Sequence, residues 1–153
     1  MPGLISDIDP DGLLEFSVVF TDRSVNHMSQ KFQHVMNDIS STLKRVYNAE
    51  AVAVVPGGGT YGMEAVARQF ATGKKCLVMR NGFFSFRWTQ ILEMGSIASV
   101  HTVLKASRTS DVADAPFAPR DVDEVCATIR SERPQVVFAP HVETSAGILL
   151  PDD

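Results

Sequence analysis

Ala51–Val52–Ala53–Val54–Val55 is followed at once by Pro56–Gly57–Gly58–Gly59–Thr60, and then by Tyr61–Gly62–Met63–Glu64–Ala65–Val66–Ala67–Arg68–Gln69–Phe70. An apolar run of strand length enters a glycine-dense turn, after which Met63, Val66, Ala67 and Phe70 recur on one helical face. The stretch predicts strand, turn and helix. The first turn of a helix carries unpaired N–H groups and the positive end of the helix dipole, and glycines let an anion approach that backbone closely. A phosphate group suits such a turn.

The same alternation continues outward. Ser29 is placed to start a long amphipathic helix ending at Asn48, with Phe32, Val35, Met36, Ile39, Leu43, Val46 and Tyr47 on one apolar stripe. After strand 51–55, a helix over 60–71 is stopped by Gly73, and strand 75–80 leads through Asn81–Gly82 to a helix over 84–94, stopped by Gly95. Strand 99–104 follows, and then a polar loop from Lys105 to Arg120, longer than most connections. Asp121 begins a helix with Val122, Val125, Cys126 and Ile129 facing inward, and Gln135–Pro140 reads as a final strand. Alternating strands and helices imply an α/β fold, a three-layer sandwich with a mostly parallel sheet. Ligands of such sheets gather outside the carboxyl ends of the strands. The residues there are Pro56–Thr60, Asn81–Phe84 and His141–Ser145. Residues 1–28, acidic and turn-rich at their start, read as an N-terminal arm, and 29–153 as the domain proper.

With 153 residues and a formal charge of −4, the chain offers one compact domain and no broad positive field for nucleic acid or an anionic membrane. Small molecules are the expected partners. No apolar run reaches membrane-spanning length and the N-terminus lacks the pattern of a signal peptide, which points to the cytoplasm. Cys76 and Cys126 read as small buried hydrophobes, and His27, His34, His101 and His141 show no ligand spacing, so no metal is expected.

Gly57-x-Gly59-x-x-Gly62 matches the dinucleotide fingerprint, but Arg80 and Asn81 stand where an acidic residue should end the next strand. An arginine there suits a 2′-phosphate, which keeps an NADP-binding oxidoreductase domain as an alternative. The plainer alternative is a tight turn that needs positive φ. Phe83, Phe84, Phe86 and Trp88 are dense enough that some must be core, and for any single one the core reading is favoured, yet Phe83–Phe84 stand at a strand end where a flat ring can cover a planar heterocycle. Glu143–Thr144–Ser145 reads equally as a helix-capping or turn cluster and as a functional one.

Taken together, Asn26–His27–Met28–Ser29, Gly57–Gly58–Gly59–Thr60 with Met63–Glu64–Ala65, Asn81–Gly82–Phe83–Phe84 with Arg87, and Glu143–Thr144–Ser145–Ala146–Gly147 resemble the first half of the large domain of a class V aminotransferase. The resemblance is to the alanine–glyoxylate and serine–glyoxylate type, within fold type I of the pyridoxal-phosphate enzymes. It implies that Gly58, Gly59 and Thr60 hold the phosphate of pyridoxal 5′-phosphate, that Phe84 stacks on its ring, and that Thr144 contacts it near the ring substituents. It implies a homodimer moving an amino group from a small amino acid such as alanine or serine to an oxo acid such as glyoxylate or pyruvate. The family usually has a polar residue where Gly58 stands, so backbone amides and Thr60 carry more of the phosphate here.

In that family the aspartate that pairs with the ring nitrogen and the Schiff-base lysine both follow the Glu–Thr–Ser motif, and neither position falls before Asp153. Lys31, Lys44, Lys74, Lys75 and Lys105 match no such site. No catalytic residue is therefore assigned. The resemblance makes 29–153 the N-terminal portion of the cofactor-binding domain, truncated, cleaved or completed by a separate C-terminal chain, and inactive alone. A non-catalytic remnant subunit is the other alternative. An exposed sheet edge and poor solubility are expected of such a fragment.

Overall fold

The structure, a computed structural model, describes residues 27–150. The chain divides into two compact units, Met1–Val54 and Val55–Asp153, each described by itself. Most of residues 1–28, assigned from sequence to an arm, lie outside the described residues.

In the first unit, helix α1 spans Gln30–Tyr47. Ser29 is its N-cap: the backbone is extended and Oγ accepts from the Phe32 N–H at 3.1 Å, satisfying a donor that the helix itself leaves unpaired. Asn48 ends it in the left-handed conformation, φ 48°, with its N–H returned to the Lys44 carbonyl. Of the apolar stripe read from sequence, Phe32, Met36 and Leu43 are half-buried, whereas Val35, Ile39, Val46 and Tyr47 are exposed.

The second unit is built on a three-stranded parallel sheet. Strand β1 (Lys75–Arg80) lies between β2 (Val100–Lys105) and β5 (Val136–Phe138), with Lys75 opposite Val100 and Cys76 opposite Val136. Helix α2 (Gly59–Ala71) precedes β1 and α3 (Phe83–Met94) follows it. Alternation along the strand decides the packing. Cys76 and Val78 join Ala67 and Ala71 of α2, Leu92 of α3, Ile97 and Phe138 in the core, while Leu77 and Met79 turn to the other face and are also buried. Trp88 of α3 stacks on Phe138 with ring centroids 4.4 Å apart. Burial on both faces explains why Cys76–Met79 reads as an unbroken apolar run.

Helix α4 (Val122–Glu132) is capped by Asp121, whose carboxylate accepts from the Asp123 N–H at 2.8 Å. Near its far end Glu132 pairs with Lys75 at the start of β1, and the Gln135 side chain accepts from the Lys75 N–H. Together these contacts align the entry to β5 with β1. Short hairpins fill the remainder: β3 (Ser107–Arg108) with β4 (Phe117–Ala118), and β6 (Val142–Glu143) with β7 (Ile148–Leu149). Arg120 Nε donates to the Lys105 carbonyl at 2.8 Å, closing the base of the first hairpin.

The α/β fold with a parallel sheet is as expected, with corrections in detail. Residues 51–55 form no strand, because an apolar run becomes a strand only through a partner's ladder and none is formed there among the described residues. The last parallel strand, Val136–Phe138, is shorter than 135–140: at its start the Lys75 N–H is taken by the Gln135 side chain in place of a backbone carbonyl. Cys126 is half-buried, not fully so, whereas Cys76 is sealed and burial pushes its thiol pKa up.

Leu92 is 2 % exposed and joins α3 to both α2 and the sheet. Leu92→Ala is expected to cost about 3 kcal/mol, transfer loss plus cavity, read as a lower urea midpoint at unchanged slope.

Candidate functional site

Two helices present their N-termini beside the carboxyl end of β1, and their first turns are treated differently. At α3 every early donor has a partner. Phe83 N–H donates to Ser145 Oγ at 2.9 Å, Phe84 N–H to Glu143 Oε1 at 3.1 Å, Ser85 N–H to Glu143 Oε2 at 2.7 Å, and Phe86 N–H to the Gly82 carbonyl. Ser85 Oγ donates to Glu143 Oε2 at 2.6 Å and accepts from the N–H groups of Asn81 and Gly82. Ser145 Oγ also donates to Glu143 Oε1. Glu143 is 0 % exposed. Burial alone would push its carboxyl up, but hydrogen bonds from Ser145, Ser85 and the backbone of Ser85 and Phe84 outweigh it and bring the pKa down to about 2. Gly82 is required for this fit: a Cβ there would lie 2.5 Å from Ser145 Oγ and 2.7 Å from Glu143 Cγ.

At α2 the first turn is open. Gly58 is the N-cap and supplies no side-chain bond, the Tyr61 N–H returns to the Gly58 carbonyl, and the N–H groups of Gly59 and Thr60 have no protein acceptor among the described residues. Only Gly57 has positive φ, at 125°, and a Cβ there would meet the Tyr61 ring at 2.7 Å. The turn-geometry account of this motif is thus spent on Gly57. Gly58, at φ −79°, and Gly59, inside the helix, have conformations open to any residue, and a Cβ at either meets nothing within 4 Å. That space suits an anion set against the backbone.

Arg87 joins the two helices. Its Nη1 donates to Thr60 Oγ1 at 2.7 Å, and its guanidinium carbon lies 5.5 Å from the Phe83 ring centroid and 5.7 Å from that of Phe84. The glycine turn and Phe84 therefore share one neighbour. Thr60, Glu64, Arg68, Arg87, Gln90, Ile91 and Met94 line an open groove of about 520 Å³ between α2 and α3. Arg68 is paired there with Glu64 at 2.7 Å, whereas Arg87 has no carboxylate partner among the described residues.

Of the residues singled out from sequence, Gly58 and Gly59 stand at the mouth of α2, Thr60 meets Arg87, and Phe84 lies half-exposed in the first turn of α3. Thr144 is exposed at the tip of the β6–β7 hairpin, between the two residues that clasp α3. The capping alternative for the Glu–Thr–Ser cluster holds for Glu143 and Ser145. Sequence reasoning gave Arg87 no role, although its place one turn after Phe84 on the same helix face was a usable signal. Arg80, the basis of the NADP alternative, lies over the Phe86 ring at 4.8 Å. The fingerprint also lacks the strand that should precede it.

The chain is similar in sequence and fold to aminotransferases that use glyoxylate, as the motifs implied. Over 134 residues it is 28% identical to alanine–glyoxylate aminotransferase of Rattus norvegicus, a match covering 86% of this chain and 30% of the relative. It shares the fold of ureidoglycine–glyoxylate aminotransferase of Bacillus subtilis, with a TM-score of 0.67 and 23% identity over 83% of this chain and 31% of that one. The chain thus spans about a third of the length of both. No family model matches it.

Because Glu143 is held below its ordinary pKa of 4.5, its contribution to stability is full above that value and fades as pH falls toward 2. Glu143→Gln, which cannot accept at both oxygens, is expected to cost about 2 kcal/mol at pH 7 and progressively less toward pH 3. Urea unfolding of both chains across that range would show the gap narrowing.

Proposed function

We propose that this chain supplies the phosphate-holding and ring-covering part of the cofactor site of a pyridoxal-phosphate-dependent aminotransferase. The carrying observation is the open first turn of α2, where Gly58 and Gly59 leave space that the described residues do not fill, beside a guanidinium that meets no carboxylate among those residues. The donor set fits a phosphate dianion: the Gly59 and Thr60 N–H groups, the Thr60 hydroxyl and the positive end of the helix. Phe84 offers a half-exposed ring, and Thr144 a hydroxyl at the hairpin tip.

When bound, pyridoxal phosphate supplies an electron sink for the α-carbon of an amino acid. The residues of this chain hold and orient it. The amides of α2 fix the phosphate end, Phe84 sets the ring plane and excludes water from one face, and the Glu143–Ser145 clasp keeps Phe84 and Thr144 in register. The names of the relatives, alanine–glyoxylate and ureidoglycine–glyoxylate aminotransferase, support amino transfer involving glyoxylate; we take the donor to be a small amino acid, alanine- or serine-like, and the acceptor an oxo acid, glyoxylate- or pyruvate-like. We take the working enzyme to be a cytoplasmic homodimer, with 29–153 forming the N-terminal portion of its cofactor domain. Among the described residues no helix is long and apolar enough to cross a membrane.

Titration with 4-deoxypyridoxine 5′-phosphate, which lacks the aldehyde that would react with surface lysines, and separately with NADPH tests the reading. Saturable binding of the first and none of the second is expected, and the reverse would favour a dinucleotide site. Phe84→Ala should weaken the phosphorylated ligand about tenfold, the loss of one stacked ring at roughly 1–1.5 kcal/mol.

A further inference from the structure

Arg87 has three neighbours of consequence: the Thr60 hydroxyl and the faces of Phe83 and Phe84. Glu64, the acidic side chain lining the same groove, is bonded to Arg68 through both Nε, at 2.9 Å, and Nη2, at 2.7 Å. Among the described residues the charge of Arg68 is therefore answered by a carboxylate and that of Arg87 is not. A partly buried guanidinium whose charge is unanswered is a ready partner for an anion.

The Arg87–Thr60 bond has a fixed direction. A guanidinium only donates, so Thr60 Oγ1 is the acceptor, and the single hydroxyl proton stays free to donate elsewhere. Thr60 is the second residue of α2, next to the unpaired Gly59 N–H. Its hydroxyl rotor is thus held at the same helix mouth as the open amides.

We propose that Arg87 is the positioning residue for the phosphoryl group, fixing Thr60 as a hydroxyl donor and supplying the positive charge that the glycine turn lacks. This deepens the cofactor reading and rests on it. Gly58 contributes no side-chain donor at the cap, so an ion pair reached through the neighbouring helix takes that place. The aromatic faces of Phe83 and Phe84 hold the guanidinium from one side while leaving its N–H edges free, because cation–π contact uses the plane and hydrogen bonding the rim. The same contact couples the two ends of the ligand: what holds the phosphate also steadies the ring that covers the heterocycle.

The test compares affinities of the full chain for 4-deoxypyridoxine 5′-phosphate and 4-deoxypyridoxine, which differ only in the phosphate. Equilibrium dialysis serves for both, with inorganic phosphate as competitor. Arg87→Met, which keeps an apolar stem against the rings, and Thr60→Val are each expected to lower affinity for the phosphorylated ligand about tenfold and leave the other unchanged. The double variant should lose little more than Arg87→Met alone, since the residues act as one unit. Arg87→Lys, which keeps the charge, should restore part of the preference. Equal losses for both ligands in Arg87→Met, or wild-type preference untouched by it, would overturn the assignment while leaving the cofactor reading in place. A wild-type chain that does not discriminate the two ligands removes the cofactor reading, and this assignment with it.

Discussion

The carboxylate of Glu143 sits in the first turn of α3 and takes two of its N–H groups, with the hydroxyls of Ser85 and Ser145 closing the ring of donors. A buried charge would ordinarily be expelled or neutralised; here the helix dipole and the hydrogen bonds keep it ionised. Because the clasp joins residues 82–85 to 143–145, it pins the β6–β7 hairpin over the end of β1 and sets where α3 begins. The placement of Phe84, Arg87 and Thr144 follows from it. The clasp, not the glycine turn, organises this edge of the sheet.

The two helix mouths are complementary. One is filled by the protein's own anion and the other, at the start of α2, is left with its amides open among the described residues and a cation alongside. Like ends of parallel dipoles at one sheet edge repel, and negative charge at each relieves that. Glu143 does so permanently at α3. At α2 the first turn carries no acidic residue, so the same electrostatic demand is left unanswered there among the described residues.

Much of this was legible in the sequence because the decisive signals were local. Ser29 and Asp121 are caps read from single residues, and strand β1 follows from an unbroken apolar run, whereas of the face read on α2 Ala67 is buried but Val66 and Phe70 are exposed. The errors came where local signals need a distant partner. Ala51–Val55 has the composition of a strand and no ladder among the described residues, and the hairpins β3–β4 and β6–β7 depend on pairings too short to leave a two-residue alternation. The site divides in the same way. Gly58, Gly59, Thr60 and Phe84 lie at strand and helix boundaries that pattern reveals, but the Glu143 clasp spans 58 residues and the Arg87–Thr60 bond 27, distances at which one sequence carries no pairing signal.

That long reach has a consequence for how the chain acquires its shape. During synthesis α3 leaves the ribosome well before Glu143 does, and until then its first turn has only water and Ser85 to satisfy its donors. Pairing of β5 with β1, which sets Cys76 opposite Val136, closes most of that distance first, so the clasp then joins segments already brought close. A nascent chain halted before Glu143 lacks the acceptor for the Phe84 and Ser85 N–H groups and so has no fixed start to α3.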